Sequence, residues 1–404
     1  MGQSLEFVRD LWVEARLSAP PFVQRTVILR LHEVKEIMRL LSRPYLPVCQ
    51  MQGQGQGGPL TVTYVGLEYA KPFMRSILFA EEPVEQQMGR IPFWRYDELA
   101  YPPSSDVVIV EATRHLIRRL PRQNAVVLPQ YVHHILDVRG DWQDVRGRFR
   151  KSTRQELRLT RKYGYRYEVS HDDRDFEFFY RDMYLPTMKI RHGDLASPMP
   201  VSEAHQIFRH GFLFLVKRDG RRVCGSLCHV ERDTIRYMIM GVIDGDGQIM
   251  REGAVGALNC LRIQWANQQG YKAVNFLGSG IPRLNGGMFQ HKRKWGTAVS
   301  VPPHLHRQIW IGVRQNTPAV SRFLKDNPFV VVDKNGELHG LVVVDDLHNV
   351  SAKDKEEWKK RYGTPGLSSL LIRSLDHFAE EPASRDDPGL VIPMPPKSLS
   401  RKSQ

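Results

Sequence analysis

The chain has 404 residues, of which 41% are hydrophobic and 9% aromatic, so it can form the cores of two or three domains and is not a disordered protein. A formal net charge of +14 would concentrate partners that carry phosphate, such as RNA, nucleotide cofactors or anionic lipid head groups, although solubility alone accounts for such an excess equally well. The four cysteines have neither the number nor the spacing of a disulfide framework or a zinc site, which predicts a reducing compartment.

The first third of the chain predicts a mixed α/β region. Its N-terminus, MGQSLEFVRDLWVEARL, interrupts every apolar run with charged residues and therefore matches neither a signal peptide nor a membrane span. An amphipathic helix is predicted to end near Leu41, and the low-complexity stretch QMQGQGQGG at residues 50–58 predicts a flexible connector. Strands are predicted at TVTYVGL, PSSDVVIVEA and VVLPQYVHHILDV, with a helix at TRHLIRRL. We expect a cytoplasmic protein.

A basic helix is predicted next. It begins at DWQDVRGRF, runs on through RKSTRQELRLTRKYGYR and ends at Gly164. Cations recur at every fourth position of this helix: Arg150, Arg154, Arg158 and Lys162. Residues 146–166 contain nine cations and a single acid, Glu156, whereas solvated helices usually mix both signs. One continuous stripe of this kind favours binding of a polyanion, and we expect a tRNA acceptor stem rather than another polyanion.

The rest of the chain predicts a mixed sheet with a helical crossover. Helices at DFEFFYRDMYLPTMKI and SEAHQIFRH precede strands at FLFLVKR, VCGSLCHV and TIRYMIMGV, and the helix AVGALNCLRIQWANQQG leads to the strand YKAVNFLG. A hairpin, FVVVDKNGELHGLVVV, is predicted to turn at Asn335 and Gly336. The last 26 residues hold five prolines and little apolar periodicity, which predicts a disordered tail.

Three segments resemble the FemAB-like branch of the GNAT acyltransferase superfamily, a branch of double-GNAT acyltransferases and aminoacyltransferases. They are the basic helix ending KYGYRYEVS, the stretch MGVIDGDGQIMREGAVGALNCLRIQWANQQGYKAVNFLG, and GGMFQHKRKWG at residues 286–296. The last is similar to the family signature Gly-x-x-x-Phe-Lys-x-x-aromatic-Gly, which Gly287, Lys292, Trp295 and Gly296 match. His291 stands where the family usually has Phe, and Asn275 stands where an Asp is common. The resemblance covers roughly residues 100–300.

This resemblance implies an α/β fold of the α+β type. The fold would have two GNAT-like lobes, each a mixed, mostly antiparallel sheet flanked by helices. We expect an N-terminal lobe at residues 1–145 and a catalytic lobe at 146–325. A hairpin and helical extension at 326–378 would pack on the lobes, and residues 379–404 would form the disordered tail.

The resemblance also implies where a donor would bind. In GNAT enzymes, backbone N–H groups at the start of the central helix hold the pyrophosphate of acyl-CoA, and Arg251, Gly253 and Gly256 form a degenerate version of that loop. A tight turn without a ligand explains those glycines equally well. FemAB-like relatives often use aminoacyl-tRNA instead, for which Arg150, Arg154 and Arg158 of the basic helix are the candidate contacts.

An acceptor or phosphate site is predicted from four further residues: Lys292, Arg191, Tyr237 and Asn275. The resemblance implies a phosphate or carboxylate contact for Lys292, whereas its neighbours His291, Arg293 and Lys294 are expected to be solvated. Arg191 could bind an anion or merely cap the preceding helix. Four side chains could accept a proton from the attacking amine, and the sequence selects none of them: Glu252, Asp182, His192 and Tyr237.

We predict a FemAB-like transferase that moves an aminoacyl group from aminoacyl-tRNA onto an amine of a peptide, a peptidoglycan precursor or a small molecule. Two alternatives stay open at this point. One is an N-acyltransferase that uses acyl-CoA or an acyl carrier protein in polysaccharide, lipid or natural-product biosynthesis, and the other is a non-catalytic anion-binding scaffold. We expect no tightly bound cofactor, no metal and no integral membrane association.

Overall fold

The computed structural model describes residues 44–95, 104–193, 196–278, 280–374 and 390–394, together with Val34 and Met38. The N-terminal segment and the helix predicted to end near Leu41 lie outside this set, apart from those two positions. The described residues belong to two compact units. Unit 1 holds His134–Leu277 and Lys294–Thr297, and unit 2 holds the described residues of Leu29–His133, Gly278–Arg293 and Ala298–Gln404. None of the described helices is both long enough and apolar enough to span a bilayer.

The strands and helices are numbered here in chain order. The strands are β1 (Tyr45–Gly55), β2 (Gly58–Gly66), β3 (Val84–Pro92), β4 (Val107–Thr113), β5 (Ala125–Pro129), β6 (His133–Asp137), β7 (Arg166–Ser170), β8 (Gly211–Arg218), β9 (Arg221–Glu231), β10 (Thr234–Val242), β11 (Ala273–Asn275), β12 (Ala298–Ser300), β13 (Arg307–Val313), β14 (Phe329–Val332), β15 (Leu338–Val344), β16 (Ser369–Ser374) and β17 (Leu390–Pro393). The helices are α1 (Lys71–Leu78), α2 (Arg114–Ile117), α3 (Trp142–Gly147), α4 (Arg154–Lys162), α5 (Asp173–Phe178), α6 (Leu185–His192), α7 (Val201–Arg209), α8 (Gly247–Arg251), α9 (Ala254–Gln268), α10 (Gly287–Arg293), α11 (Pro318–Asp326) and α12 (Ala352–Tyr362).

The sheet of unit 1 has its strands in the order β6-β11-β10-β9-β8-β7. All neighbouring pairs in this order are antiparallel except β10 and β11, which are parallel and are joined by α9. Leu258 and Ile263 on α9 share a buried apolar cluster with Ile235 of β10 and Val274 of β11. Burying this face of α9 fixes the crossover against the sheet, because the apolar surface it removes from water is large. This arrangement agrees with the predicted central strand, helix and strand.

Unit 2 contains two sheets. One has the order β3-β1-β2-β4-β13-β5 and the other the order β14-β15-β16-β17, each with one parallel pair among antiparallel ones. The predicted hairpin turning at Asn335 and Gly336 is present as β14 and β15. The predicted fold class, mixed and mostly antiparallel sheets flanked by helices, is therefore confirmed. Compactness of the two units does not tell which segments fold independently, so the boundaries at residues 145, 325 and 378 remain predictions.

Two local predictions are wrong. Residues 50–58 are not a flexible connector, because they form the ends of β1 and β2 and the turn between them. The alternating glycines are needed for close packing, since a Cβ at Gly53 would lie 3.2 Å from the Phe79 side chain and one at Gly57 only 2.6 Å from the carbonyl oxygen of Pro318. In addition, β17 lies inside the predicted disordered tail and pairs with β16, where Ile392 is buried.

Candidate active site

The sheet of unit 1 opens between β10 and β11. The two strands pair only from Thr234 to Arg236, opposite Ala273–Asn275, whereas β10 continues to Val242. A bulge between Tyr237 and Ile239 in the ladder with β9 begins where this pairing ends. A bulge increases the local twist of a strand and redirects its side chains. The carboxyl ends of parallel strands that separate in this way are a preferred place for ligands, so we take this opening as the candidate active site.

Tyr237 lies at this opening. Its ring meets Phe276 edge-on, with ring centroids 5.1 Å apart, and covers the guanidinium of Arg262, whose central carbon is 3.5 Å from the ring centroid. Burial raises the pKa of Tyr237 well above its usual value. The phenol therefore stays protonated at neutral pH, and its O–H has no hydrogen-bond partner among the described residues. An unpaired buried donor costs free energy unless a ligand accepts its hydrogen bond.

Arg262 beneath Tyr237 was missed by the sequence reasoning. It is 5% exposed and donates hydrogen bonds to Ser226 Oγ at 2.9 Å and to Asn259 Oδ1 at 2.5 Å. Burial lowers its pKa, and both of these hydrogen-bond acceptors are neutral. The charge is thus balanced by dipoles and by the Tyr237 ring. The charge of this arginine, in the largely apolar run ALNCLRIQW, was the signal that could have identified it.

Asn275 ends β11 and shapes the loop that follows. Its side chain is buried, and its Oδ1 accepts a hydrogen bond from the backbone N–H of Leu277 at 2.8 Å. Leu277 has a φ of 58°, a left-handed conformation that is costly for a leucine and that this hydrogen bond supports. Asn275 therefore has a backbone partner in the structure, and its contact with an acceptor remains a prediction.

The start of α9 is covered by α4. Gly253 precedes α9 with a φ of 93°, and a Cβ there would lie 2.9 Å from the Leu159 side chain. A Cβ at Gly256 would lie 2.4 Å from the Glu156 side chain. Both glycines thus allow α4 to approach the first turn of α9. Arg251, just before this turn, is exposed and donates two hydrogen bonds to the side chain of Gln248.

The candidate proton acceptors are poorly suited to act as a general base. Arg218 holds the pKa of Glu252 below its ordinary value by a hydrogen bond, and Arg181 does the same for Asp182. The side chain of His192 lies outside the described residues. A base works best with a pKa near the working pH, which neither of these carboxylates nor Tyr237 provides. The geometry, like the sequence, selects no base.

The predicted single basic helix is wrong, because α3 and α4 are separate helices with a 3-10 turn at residues 151–153 between them. Thr153 Oγ1 donates to the carbonyl of Arg150 at 2.7 Å, a local hydrogen bond that competes with helix formation. Arg150 itself has extended backbone, and its N–H donates to the carbonyl of Lys294 at 2.8 Å. Burial also lowers the pKa of Arg150. Arg150 is therefore not part of a helical stripe.

A cationic surface remains on α4 and the residues next to it. Six cations on it are exposed, and we call this set the α4 surface: Lys151, Arg154, Arg158, Arg161, Lys162 and Arg166. The single acid of this segment, Glu156, lies on the inner side of α4 beside Gly256 and forms an ion pair with Lys294. The outer side of α4 consequently carries one sign of charge, as a binding surface for a polyanion would.

Arg191 and Lys292 have different environments. Arg191 is exposed, and its nearest polar contact is a weak one to the sulfur of Met250 at 3.9 Å. Lys292 lies in unit 2, is 6% exposed and donates a hydrogen bond to the backbone carbonyl of Gly278. The expectation that Arg293 is solvated is wrong, because it is 3% exposed. An anion contact for Arg191 or Lys292 remains a prediction.

One group of potential metal ligands occurs among the described residues. Ligand atoms of Asp333, Glu337 and His339 lie within 4.8 Å of one another at the hairpin between β14 and β15. The carboxylate of Asp333 accepts backbone hydrogen bonds from Asn335 at 2.9 Å and from Glu337 at 2.7 Å. These contacts are those of an Asx turn, which fixes the position of the Asp333 carboxylate.

The middle of the chain resembles a known class of domain. Residues 147–293 match the family model of the acetyltransferase (GNAT) domain, a segment that includes β10, α9 and β11. The resemblance to FemAB-like, double-GNAT enzymes is thereby confirmed at the level of the GNAT domain. This match supports an acyltransferase, as the sequence predicted, over the alternative of a non-catalytic scaffold.

Similar solved structures were also found, whereas the sequence of this chain matches no curated protein significantly. They include FemX, at 12% identity over 68% of this chain and 90% of that chain, with a TM-score of 0.37. L-PGS from Bacillus licheniformis is 14% identical over 66% of this chain and 84% of that chain, with a TM-score of 0.33. The C-terminal domain (DUF2156) of a putative lysylphosphatidylglycerol synthetase from Agrobacterium fabrum is 12% identical over 73% of this chain and 94% of that chain, with a TM-score of 0.32. These likenesses are too distant to argue a donor or an acceptor.

Proposed function

We propose that this acyltransferase moves an aminoacyl group from aminoacyl-tRNA to an amine and so forms an amide or peptide bond. The α4 surface is the observation that carries the proposal, because its six exposed cations have no acid among them. Its neighbouring acid, Glu156, faces α9 and is neutralised by Lys294. A surface of one sign and this density can neutralise several phosphates of one ligand, which suits a tRNA better than a small anion. Use of this donor also agrees with the predicted cytoplasmic location.

The first turn of α9 supports the same donor. For an acyl-CoA enzyme of this superfamily, that turn would hold the pyrophosphate on its backbone N–H groups. Here Leu159 and Glu156 of α4 cover it, and the Glu156 side chain approaches Gly256. The Glu156 side chain thus occupies the space beside Gly256 that a phosphate approaching this turn would need. A tRNA donor does not require this turn.

The chemistry of the proposed transfer balances without a further co-reactant. The amine attacks the ester carbonyl of the aminoacyl-tRNA, which forms the new C–N bond and a tetrahedral oxyanion. Collapse of this intermediate breaks the C–O bond to the ribose, and the ribose oxygen takes up the proton that the amine has lost. In this proposal the carbonyl lies at the opening between β10 and β11. The neutral O–H of Tyr237, buried and without a partner among the described residues, would donate to the oxyanion there.

The acceptor side is proposed from the remaining candidates. Asn275 borders the opening, and Arg191 offers an exposed guanidinium that can bind a carboxylate or phosphate with two hydrogen bonds. Separately, Lys292 of unit 2 is proposed to contact an anion, in addition to its bond to Gly278. Of the predicted donor loop, Arg251 stays a candidate donor contact because it is exposed.

A donor competition assay tests the proposal. The full chain is incubated with a tRNA pool charged with radiolabelled amino acids and with a panel of amines, and in parallel with acyl-CoA and with an acylated carrier protein. We expect label to leave the tRNA and to appear in an amide that mass spectrometry identifies. Transfer from acyl-CoA or carrier protein, with none from tRNA, would refute the donor while leaving the acyltransferase class intact.

A further inference from the structure

A pocket on the helical side of unit 1 shares no residue with the opening between β10 and β11. It is a cavity of about 370 Å³ bounded by residues of α3, α4, α9 and the start of β7. Three arginines line it: Arg146 from α3, Arg161 from α4 and Arg166 from β7. The last two also belong to the α4 surface, so the pocket continues that surface inward.

The charge in this pocket is unbalanced. None of the described residues that line it is acidic, and the guanidinium groups of Arg146, Arg161 and Arg166 form no ion pair within the described part of the chain. Cys260 lies at the pocket, where burial raises the pKa of its thiol to about 11 while Arg146 and Arg161 act in the opposite direction. The positive potential of two arginines from different helices therefore reaches the same point. Such an arrangement attracts an anion.

Part of the pocket lining is apolar. Trp142, Leu157 and Leu261 line it, and each of them is half-buried rather than sealed in the core. An aromatic ring beside a cationic group is a suitable surface for a nucleobase, because every base can stack on such a ring. The volume lies within the range of small-molecule sites and is much larger than one phosphate needs. The lining thus matches a ligand with a flat ring and an anionic group.

We propose that this pocket binds a nucleotide, with its phosphate among Arg146, Arg161 and Arg166 and its base against Trp142. The inference extends the proposed function. It rests on that function only for the role of this pocket in donor binding. The same nucleotide chemistry occurs in a nucleotide of tRNA and in the nucleotide part of CoA. Nucleotide binding itself depends only on the pocket, and the experiment separates the two sources.

The test measures binding of adenosine monophosphate, coenzyme A and uncharged tRNA to the full chain by titration calorimetry. Arg161→Ala with Arg166→Ala removes two phosphate contacts, and Gln264→Trp fills the pocket from α9 without changing its charge. Arg174→Ala with Arg209→Ala is the matched control, because both residues are exposed arginines of unit 1 that do not line the pocket. We expect each pocket variant to weaken adenosine monophosphate binding about tenfold or more, and the control to leave it within about twofold.

The outcomes distinguish a failure of nucleotide binding in the pocket from a failure of the proposed tRNA donor. Unchanged nucleotide affinity in both pocket variants, equal losses in the pocket and control arginine variants, or no nucleotide binding by the unaltered protein would each overturn the inference. If Gln264→Trp weakens the binding of tRNA but not of coenzyme A, the pocket binds a nucleotide of tRNA. The reverse result assigns the pocket to CoA. Aminoacyl transfer that persists in a variant unable to bind the nucleotide would separate the pocket from donor binding and leave the proposed function standing. Circular dichroism checks that each variant is folded.

Discussion

Two basic segments of similar composition have opposite environments in this protein. In unit 1, the cations of the α4 surface are exposed to solvent. In unit 2, Lys292 and Arg293 of α10 are 6% and 3% exposed. A run of lysines and arginines in the sequence therefore does not determine whether the charges reach a partner in solution. The difference lies in the hydrogen-bond acceptors that surround Arg293.

Arg293 shows this most clearly. Its guanidinium donates to the carbonyls of Lys360 and Gly363, each at 2.8 Å, and to Thr364 Oγ1 at 3.0 Å. These carbonyls lie at the C-terminus of α12, where a helix leaves its last carbonyls without internal partners and carries partial negative charge. Arg293 thus completes the end of a helix, a role that no cation of the α4 surface has.

Replacing Arg293 should have the largest effect. Arg293→Met keeps the apolar stem but removes the guanidinium that donates to the carbonyls at the end of α12, so we expect the free energy of unfolding to fall by about 3 kcal/mol. Urea denaturation followed by circular dichroism measures the change. Arg322→Met on α11, where the side chain is 57% exposed, is the control and should shift stability by less than about 0.5 kcal/mol. Equal effects of both changes would show that burial of Arg293 contributes nothing.

The inner side of α4 provides the second prediction. In Gly256→Ala, the new Cβ would lie 2.4 Å from the Glu156 side chain, which forces α4 and α9 apart. We expect a loss of about 2 kcal/mol in the free energy of unfolding, measured in urea, and partial recovery when Glu156→Ala is added. Gly147→Ala in α3 is the control, because a Cβ there meets no atom within 4 Å. Unchanged stability together with lost donor binding would instead favour a phosphate role for Gly256.

The sequence predicted the elements of unit 1 better than the details of its site. Apolar periodicity identified β8, β9, β10 and α9, because each buries a face whose pattern is local in the chain. The break between α3 and α4 was missed, since the side-chain hydrogen bond of Thr153 competes with the helix and leaves the four-residue spacing of the arginines intact. The spacing of the arginines alone cannot reveal a side-chain hydrogen bond that interrupts the helix.

Tertiary contacts explain the other misses. The glycines at residues 50–58 indicated flexibility, yet they are fixed by Phe79 and Pro318, which are distant in the sequence. Arg262 was overlooked because its partners Ser226 and Tyr237 come from β9 and β10, whereas Arg262 lies on α9. Gly253 and Gly256 were visible as small residues, but only the structure shows that α4 occupies the space above them. Contacts between elements carry this information, and a single sequence does not display them.

The outer side of α4 provides the third prediction. Arg154→Ala with Arg158→Ala should weaken tRNA binding about tenfold and reduce the slope of log K against log salt by about 2, because each arginine neutralises about one phosphate. The free energy of unfolding should stay within about 0.5 kcal/mol, since both side chains are exposed. Filter binding across a salt series measures the effect, with Arg174→Ala plus Arg209→Ala as a control of equal charge. An unchanged slope would remove the α4 surface from donor binding and with it the main support for tRNA.

Lys294 is intermediate between the two basic segments and should give the smallest effect. Its ammonium pairs with Glu156, and the two side chains are 19% and 17% exposed, so the pair is neither solvated nor fully buried. Lys294→Met leaves the carboxylate of Glu156 without its cation, and we expect the free energy of unfolding in urea to fall by about 1 kcal/mol. Adding Glu156→Gln removes the unpaired charge and should restore most of this loss. If Lys294→Met alone leaves the free energy of unfolding unchanged, the inward position of Glu156 depends on its packing against Gly256 and not on the ion pair. The positive charge of the outer side of α4 would then not depend on Lys294.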